Sequence, residues 1–295
     1  MYAVAATTDR FTGDNPAPNP KVQAGPGWGC DSNKDASWIN GSGQKVLEPS
    51  CVPDPSLTGV ANGGAYRPTS ARYVRTIMDR LHAAKLSWRL YAANSSQSAY
   101  EWATCPSFAE CLDTTQALNV VPTQQVITDA QAGTLSNFSL VLPGGGSVAG
   151  ASQHNGNSML NGDNWIGKIV SAIEQGPDWP STAIFVAYDD CGCFYDHVAP
   201  GVNPDGTHQG PRVPLVIVSP YARPGYTDST PASTVSILAF VEHAFGLTSL
   251  TANDANAYAY SGSFNYSQTP LPQVSMVQSP LPAGEITETP TNDPT

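Results

Sequence analysis

Residues 181–200 read STAIFVAYDDCGCFYDHVAP, an apolar run followed at once by acidic, thiol and imidazole side chains. The apolar part, 183–187, is rich in β-forming residues, which predicts a strand buried on both faces of a parallel sheet. In open α/β sheets the chemistry collects just beyond the carboxyl ends of such strands. Adjacent carboxylates repel each other, and a bound cation is the commonest reason for a pair such as Asp189 and Asp190. The stretch therefore predicts a site at the end of a central strand.

Helices and strands alternate along the chain around this stretch. Apolar residues recur at helical spacing in several segments, and further short runs are typical of strands. This order predicts an α/β fold with a mostly parallel sheet. The predicted helices cover 68–84 (capped by Thr69 or Ser70), 126–132, a segment from Asp163 or Asn164 to Gly176, and one from Thr234 or Ser236 to Gly246; the further strands cover 86–91, 140–142 and 213–218, the last again central and parallel.

Long loop insertions interrupt the regular elements. Glycine and proline number 26 each and charged residues make up only 13% of the chain, a composition typical of a compact body with many turns. The insertions are predicted at about 11–66 and 92–150. We predict one α/β domain over 1–267 and a proline-rich tail over 268–295, disordered or loosely attached because it lacks apolar periodicity.

The charge and the apolar runs limit the partners. The net charge of −11 argues against nucleic acid, whose phosphates need clustered Lys and Arg. A small phosphorylated substrate stays compatible with this charge, since a metal can hold it locally. No apolar run approaches the ~20 residues of a transmembrane helix, so no transmembrane segment is predicted. The opening MYAVAATTDR lacks a basic region and an apolar core, so it is not a signal peptide.

Four of the six cysteines fall into two local pairs. Cys30 and Cys51 flank a loop of small and polar residues, and Cys105 and Cys111 flank a short polar turn. Such pairs predict two disulfides and an extracytoplasmic compartment. The alternative is four free, buried thiols.

The residues after the central strand could hold a metal or move a proton. Asp189 and Asp190 could bind Ca²⁺, Mg²⁺ or Mn²⁺, all of which prefer carboxylate oxygen; the alternative is a polar turn with an Asp cap. His197 could be a metal ligand, a donor to a phosphoryl oxygen or a general acid. His154 lies in a polar loop before a predicted helix, a good place for a site, although a lone loop histidine is more often simply solvated.

Arg212 and the cysteines at 191 and 193 could have a structural role instead of a catalytic one. Arg212 could bind substrate, or form an ion pair with Asp189, Asp190 or Asp196, and we favour the ion pair. Cys191 and Cys193 could join His197 in a zinc site, but their spacing is short for zinc and no second cysteine knuckle exists. Free thiols, or pairing with a cysteine elsewhere, are equally open.

Five segments together carry a family resemblance. They are LSWRLYAA (86–93), the His154–Asn155 loop with GDNWIGKIVSAI (162–173), DWPSTAIFVAYDDCGCFYDHVAP (178–200), GPRVPLVIVSPYARPG (210–225) and SILAFVEHAFGL (236–247). In this order and spacing the chain resembles the bacterial phosphoesterase family of non-specific phospholipases C and an acid phosphatase, within the alkaline phosphatase superfamily.

The resemblance implies a three-layer sandwich and a metal-dependent hydrolase of phosphoric esters. Its substrate would be a phosphorylated small molecule or a phospholipid head group, its metal Ca²⁺, Mg²⁺, Mn²⁺ or Zn²⁺, and its location secreted or periplasmic. Asp189 and Asp190 would be metal ligands. His154 and His197 would stabilise the phosphoryl group or protonate the leaving oxygen. Nothing in the sequence indicates an oligomeric state.

The chain departs from the family in two places. Cys193 stands where the family usually has Gly, and Cys191 where it often has Trp or Gly. The family's Glu-Asn metal-binding pair is absent, and neither Thr7 nor Thr8 is marked as the nucleophile, because YAVAATTDR resembles the segment that follows it. The alternative reading is therefore a catalytically incomplete, N-terminally shortened homologue that is at most a binding module.

Overall fold

A computed structural model describes residues 1–13, 15–57, 67, 69–144, 151–192 and 194–282. They form a mixed α/β structure that includes a parallel sheet of three strands, which confirms the α/β class. The chain divides into two compact units, one of Met1–Gln125 with Ser136–Ala149 and one of Val126–Leu135 with Gly150–Thr295. The single domain over 1–267 and the three-layer sandwich stay predictions.

Among its described residues, the first unit contains two sheets and three short helices. Its elements are α1 (Tyr2–Ala5), β1 (Ala17–Pro18), β2 (Lys34–Ile39), β3 (Lys45–Pro49), α2 (Ile77–Ala83), β4 (Trp88–Ala92), α3 (Ala109–Leu112), β5 (Val120–Pro122) and β6 (Phe138–Val141), with 3-10 helices at Ser98–Trp102, Cys105–Ser107 and Thr115–Asn119.

The first insertion is not simply a loop. Strands β1, β2 and β3 form an antiparallel sheet in which β2 and β3 make a hairpin, paired from Asp35 with Pro49 to Ile39 with Lys45. The turn between them closes because the Asn40 carboxamide oxygen accepts from the backbone N–H groups of Ser42 and Gln44. The prediction of loop over 11–66 is therefore wrong for this part.

The predicted strands over 86–91 and 140–142 form the parallel sheet. Strand β4 is central and lies between β5 and β6, with Trp88 opposite Phe138 and Leu90 opposite Val120. Leu90 and Tyr91 are completely buried, as expected of a central parallel strand.

The first predicted helix is shorter than its apolar pattern suggests. Helix α2 begins at Ile77, where the Thr76 hydroxyl accepts from the backbone N–H of Asp79. The predicted caps Thr69 and Ser70 lie well before it. Residues 69–76 are instead held by other contacts, such as the Asp9 carboxylate, which accepts from the backbone and guanidinium of Arg72.

Both predicted disulfides form in the first unit. Cys30 bonds to Cys51 and Cys105 to Cys111, closing loops with sequence separations of 21 and 6 residues. All four cysteines are buried. The backbone N–H of Cys30 also donates to the carbonyl of Pro106, which ties the two disulfide regions together.

The second unit contains one strand pair and four helices among its described residues. Its elements are α4 (Gln125–Ala132), α5 (Met159–Gln175), β7 (Ile184–Ala187), β8 (Leu215–Val218), α6 (Thr234–Phe245) and α7 (Ala252–Ala255), with 3-10 helices at Trp179–Ser181 and Ser261–Ser263. Helix α4 ends before Gly133 at φ +67°, and α6 ends before Gly246 at φ +65°, as predicted.

Strands β7 and β8 pair antiparallel, with Ile184 opposite Val218 and Ala187 opposite Leu215. The prediction of two central parallel strands is wrong for this pair. A parallel pair needs a crossover, usually a helix, to return the chain to the same edge, and the described residues between Ala187 and Leu215 contain no helix. Neither strand is buried on both faces, since Ala187 and Val216 are exposed.

Aromatic rings anchor this strand pair to α6. The Phe185 ring centroid lies 4.9 Å from that of Phe240 on α6 and 5.4 Å from that of Tyr260. Phe240 and Phe264 stack at 5.1 Å. Such ring pairs contribute beyond their buried area, so they fix β7 and the turn that follows it.

Helix α5 begins earlier than predicted. Its cap is Ser158, whose hydroxyl accepts from the backbone N–H of Asn161, so the predicted caps Asp163 and Asn164 lie inside the helix. Gly162, Asp163 and Asn164 obscure the helical pattern of these first turns; Asp163 is exposed, and Asn164 binds the backbone of Ser279. The helix ends at Gln175 before Gly176, as predicted.

The described part of the proline-rich tail, 268–282, lies against α5. The backbone N–H of Val274 donates to Glu174, and Asn164 exchanges two hydrogen bonds with the backbone of Ser279, at 2.8 and 2.9 Å. These contacts contradict a loose attachment through residue 279. No helix in the described parts of either unit is both long enough and apolar enough to span a bilayer.

Candidate functional site

Asp189 and Asp190 lie in a tight turn directly after β7, and both side chains are exposed. The Asp190 Oδ1 accepts from the backbone N–H of Gly192 at 2.6 Å, which fixes this carboxylate over the turn. Gly192 has φ +56°, a left-handed conformation that glycine adopts without strain. The turn therefore presents two carboxylates at the end of a strand, as predicted.

The loop that carries His154 contacts this turn. The Asn155 side-chain amide donates to the carbonyl of Gly192 at 2.8 Å, and the Tyr188 hydroxyl donates to Gln153 Oε1 at 2.6 Å. The structure thus joins two segments that the sequence separates by more than thirty residues. Both segments are candidate site loops in the sequence, but their contact arises only in the folded chain.

The imidazole of His154 is half-buried and oriented by its own loop. Its Nδ1 lies 3.1 Å from the carbonyl oxygen of Asn155. A carbonyl only accepts, so Nδ1 carries the hydrogen of this bond. With Nδ1 donating to this carbonyl, the imidazole can give a proton to a leaving oxygen only from Nε2, and only as the imidazolium, which carries hydrogens on both nitrogens.

Arg212, three residues before β8, pairs with Asp196 and not with Asp189 or Asp190. Its Nε and Nη2 donate to the two carboxylate oxygens at 2.9 and 2.8 Å, and its backbone N–H donates at 2.9 Å. The hydrogen bonds from Arg212 hold the pKa of Asp196 well below its ordinary value, helped by the backbone N–H of Val198. The ion pair anchors the loop after the turn.

His197 follows Asp196 on the same loop and its side chain is exposed. Phe194 and Tyr195 beside it are 76% and 91% exposed, so the loop presents aromatic rings to solvent. No hydrogen bond described here places His197 against the turn or against His154. The structure therefore joins the loop of His154 to the turn of Asp190 through Asn155 and Gly192, and His197 lies on the neighbouring anchored loop.

The described residues do not fit a complete metal site. Within them, no group of three or more His, Cys, Asp or Glu side chains is arranged to hold an ion. Asp189 and Asp190 supply two carboxylates of the type that hard divalent cations prefer. Cys191 is a half-buried free thiol, and Cys193 lies outside the described residues, so the zinc site stays a prediction.

Sequence reasoning missed the residues that hold the site together: Gln153, Asn155, Tyr188 and Gly192. Asn155 adjoins His154, and Gly192 interrupts the cysteine pair, but neither signal specifies the contact. Thr7 and Thr8 belong to the first unit, where the Thr7 hydroxyl accepts from the backbone N–H of Asp9.

Comparison with known proteins gives one family and several relatives. The phosphoesterase family model matches residues 10–248. Non-specific phospholipase C6 of Arabidopsis thaliana is 29% identical over 189 residues, covering 52% of this chain and 36% of the relative. Non-hemolytic phospholipase C of Pseudomonas aeruginosa is 26% identical over 213 residues, covering 58% and 30%. Phospholipase C B of Mycobacterium tuberculosis is 27% identical over 236 residues, covering 67% and 44%. The chain thus spans less than half the length of each of these relatives.

Proposed function

Because this chain belongs to the phosphoesterase family, we propose that it hydrolyses phosphoric esters at the turn that follows β7. The single observation that carries the proposal is the hydrogen bond from Asn155 to Gly192, which joins the His154 loop to the Asp190 turn. Hydrolysis of a phosphoric ester needs positive charge near the phosphoryl oxygens and a proton for the leaving oxygen. The joined segments offer carboxylates for the first requirement, through a cation, and an imidazole for the second.

We assign the residues as follows. His154, as the imidazolium, protonates the leaving oxygen through Nε2 and becomes the neutral Nδ1–H imidazole, because Nδ1 is engaged with the Asn155 carbonyl. Arg212 and Asp196 anchor the loop of His197, from which that imidazole can donate to a phosphoryl oxygen. The nucleophile stays unassigned: of the hydroxyls in these loops, that of Ser152 accepts from the backbone N–H of His154 and that of Tyr188 donates to Gln153.

The metal belongs to the proposal as well. Asp189 and Asp190 would be two carboxylate ligands of a divalent cation, Ca²⁺, Mg²⁺, Mn²⁺ or Zn²⁺. The described residues contribute no third side-chain ligand beside them.

The substrate would be a phosphorylated small molecule or a phospholipid head group. The names of the relatives, phospholipases C, support the second class. The two disulfides support an oxidising compartment, so we propose that the protein is secreted or periplasmic.

The test compares two chromogenic esters, p-nitrophenyl phosphate and p-nitrophenyl phosphorylcholine, with each cation and with EDTA. We expect release of nitrophenol from at least one ester and its loss with EDTA. Hydrolysis of the phosphorylcholine ester would identify a phospholipase C-like diesterase, and hydrolysis of the phosphate alone a phosphatase. Turnover unchanged by EDTA would remove the metal from the proposal.

A catalytically incomplete homologue is the second candidate, favoured by the lack of a third ligand among the described residues. It predicts no turnover of either ester by well-folded protein at any cation concentration. It also predicts that phosphorylcholine or inorganic phosphate still binds, measurable by calorimetry. Binding without turnover would replace the enzyme by a binding module.

A further inference from the structure

Three hydrogen bonds run in series through the two joined segments. The backbone N–H of Gly192 donates to Asp190 Oδ1 at 2.6 Å. The carbonyl of the same Gly192 accepts from Asn155 Nδ2 at 2.8 Å. The carbonyl of Asn155 in turn lies 3.1 Å from His154 Nδ1. Asn155 and Gly192 therefore connect a carboxylate of the turn to the imidazole of the other loop.

Gly192 fits this place because of its shape. Its φ of +56° is one that side chains rarely adopt, and an added Cβ would come within 2.9 Å of Asn155 Oδ1. A larger residue would thus strain the turn and displace the Asn155 amide at once. The two loops can approach this closely because Gly192 has no side chain.

We propose that Asn155 is a positioning residue that holds the His154 imidazole in register with the Asp190 carboxylate. The part of Asn155 in catalysis rests on the proposed function, whereas the hydrogen bonds that place Asn155 do not depend on it. Tyr188 and Gln153 form a second, parallel contact at 2.6 Å, so the two loops are tied at two points. Asn155 acts through the backbone of its neighbours and touches neither reacting group with its amide.

The contact requires the N–H donor of the Asn155 side-chain amide, because the Gly192 carbonyl can only accept a hydrogen bond. Asn155→Asp keeps the shape of the side chain but replaces the N–H donor by a carboxylate, which repels the Gly192 carbonyl and adds charge beside Asp190. Asn155→Ala removes the donor without adding charge. We therefore expect the isosteric change to disturb the loops more than the truncation does.

The experiment measures the tautomer of His154 in the full chain by long-range ¹H–¹⁵N NMR of labelled imidazoles, at about pH 8, where an ordinary histidine is neutral. The variants are Asn155→Asp, Asn155→Ala and Gly192→Ala. The matched control is Asn256→Ala, which also removes one side-chain amide donor to a backbone carbonyl in the same unit, from Asn256 to Ala252 at 2.7 Å. Thermal unfolding checks that each variant folds.

We expect the Nδ1–H form of His154 to dominate in the wild type and in Asn256→Ala. It should fall at least twofold in Gly192→Ala, although Gly192 does not touch His154, and most in Asn155→Asp. Wild-type tautomer ratios in folded Gly192→Ala and Asn155→Asp would overturn the inference. A variant that does not fold is replaced by Tyr188→Phe with Asn155→Ala, which should lower the ratio more than Asn155→Ala alone. Because the readout needs no turnover, it succeeds or fails independently of the proposed activity.

Discussion

Arg212 and Asp196 show what the sequence can and cannot specify about a single contact. Three carboxylates within eight residues were candidate partners for Arg212, and only the folded loop selects Asp196. The Asp196 side chain is 10% exposed and that of Arg212 is 62% exposed, so Asp196 is the more buried member of the pair. Asn155 and Gly192 were not predictable for the same reason, because their contact depends on how two distant loops meet.

Removal of this ion pair should release the loop after the turn. Arg212→Ala leaves Asp196 without its guanidinium partner, so chymotrypsin should cleave after the exposed Phe194 and Tyr195 several times faster. The matched control is Arg75→Ala, which removes an exposed pair with Asp79 in the other unit. Equal cleavage rates in wild type, control and variant would contradict the anchoring role.

The same pair should respond to acid. The pKa of Asp196 is lowered in the folded chain, so its stabilising contribution is present above the ordinary carboxyl pKa of about 4 and is lost as the pH falls through the lower folded value. The loop should therefore stay protected from cleavage at pH 5, where an unpaired carboxylate would already begin to protonate. The measurement is cleavage by an acid-tolerant protease from pH 5 to pH 2.

At the scale of elements, the carboxyl ends of helices were predictable, whereas some helix starts and the hairpin of β2 and β3 were not. The helices that end at Gly133 and Gly246 were placed correctly because glycine in the left-handed conformation ends a helix by its own chemistry. The starts of α2 and α5 were misplaced because several Ser, Thr, Asp and Asn residues compete as caps and packing decides between them, whereas α6 begins at Thr234, as predicted. The hairpin of β2 and β3 was hidden by the glycine and proline around it, although Asn40-Gly41 between two apolar runs was a usable signal.

Helix α5 gives a direct test of its start. Ser158→Ala removes the cap and should lower the free energy of unfolding by about 1 kcal/mol. Asp163→Ala should change it by less than ~0.5 kcal/mol, because Asp163 is exposed inside the helix. Chemical denaturation of both variants decides between the two helix starts. A larger loss of unfolding free energy for Asp163→Ala than for Ser158→Ala would indicate that the helix begins at Asp163, as predicted from the sequence.

The contact between α6 and α7 contains a buried acid pair. Burial, together with the neighbouring Asp254 carboxylate, raises the pKa of Glu242 to about 8. Burial would also raise the pKa of Asp254, but hydrogen bonds from Glu242 and from the backbone of Leu250 and Thr251 lower it. Glu242 is therefore protonated in the folded chain near neutral pH, while Asp254 caps α7 as a carboxylate.

This pair should make stability fall as the pH rises. The folded pKa of Glu242 lies above its ordinary 4.5, so its contribution is fully present below pH 4.5 and is lost as the pH rises to about 8. Glu242→Gln cannot ionise, and it should flatten this part of the curve and gain roughly 1–3 kcal/mol over the wild type at pH 8 relative to pH 5. If the unfolding free energies of wild type and Glu242→Gln change in parallel between pH 5 and pH 8, the raised pKa of Glu242 is contradicted.

At the scale of the whole molecule, the two cysteine pairs that form disulfides were contacts that the sequence predicted correctly. Each pair flanks a short local segment, so the pairing follows from proximity along the chain, whereas the pairing of β7 with β8 depends on a loop of more than twenty residues. The antiparallel direction could have been anticipated from the lack of helical periodicity in that loop.

The two disulfides should differ in their effect on stability. In the chain-entropy estimate, the longer loop closed by Cys30 and Cys51 contributes ~3 kcal/mol and the short loop closed by Cys105 and Cys111 ~2 kcal/mol. Paired Cys→Ala variants of each bridge, compared by denaturation, should show this order. A larger loss for the short loop would indicate that packing around it outweighs the entropy term.

The most direct test of the proposed function is the rate of p-nitrophenyl phosphate and p-nitrophenyl phosphorylcholine hydrolysis by Asp190→Asn, measured beside the wild type at equal amounts of folded protein. Asp163→Asn, which neutralises an exposed carboxylate on α5, is the matched control. We predict that Asp190→Asn loses at least about 100-fold in rate, because an amide is a much weaker cation ligand, and that the control keeps the wild-type rate. Equal rates in all three proteins would contradict a catalytic site at the turn after β7.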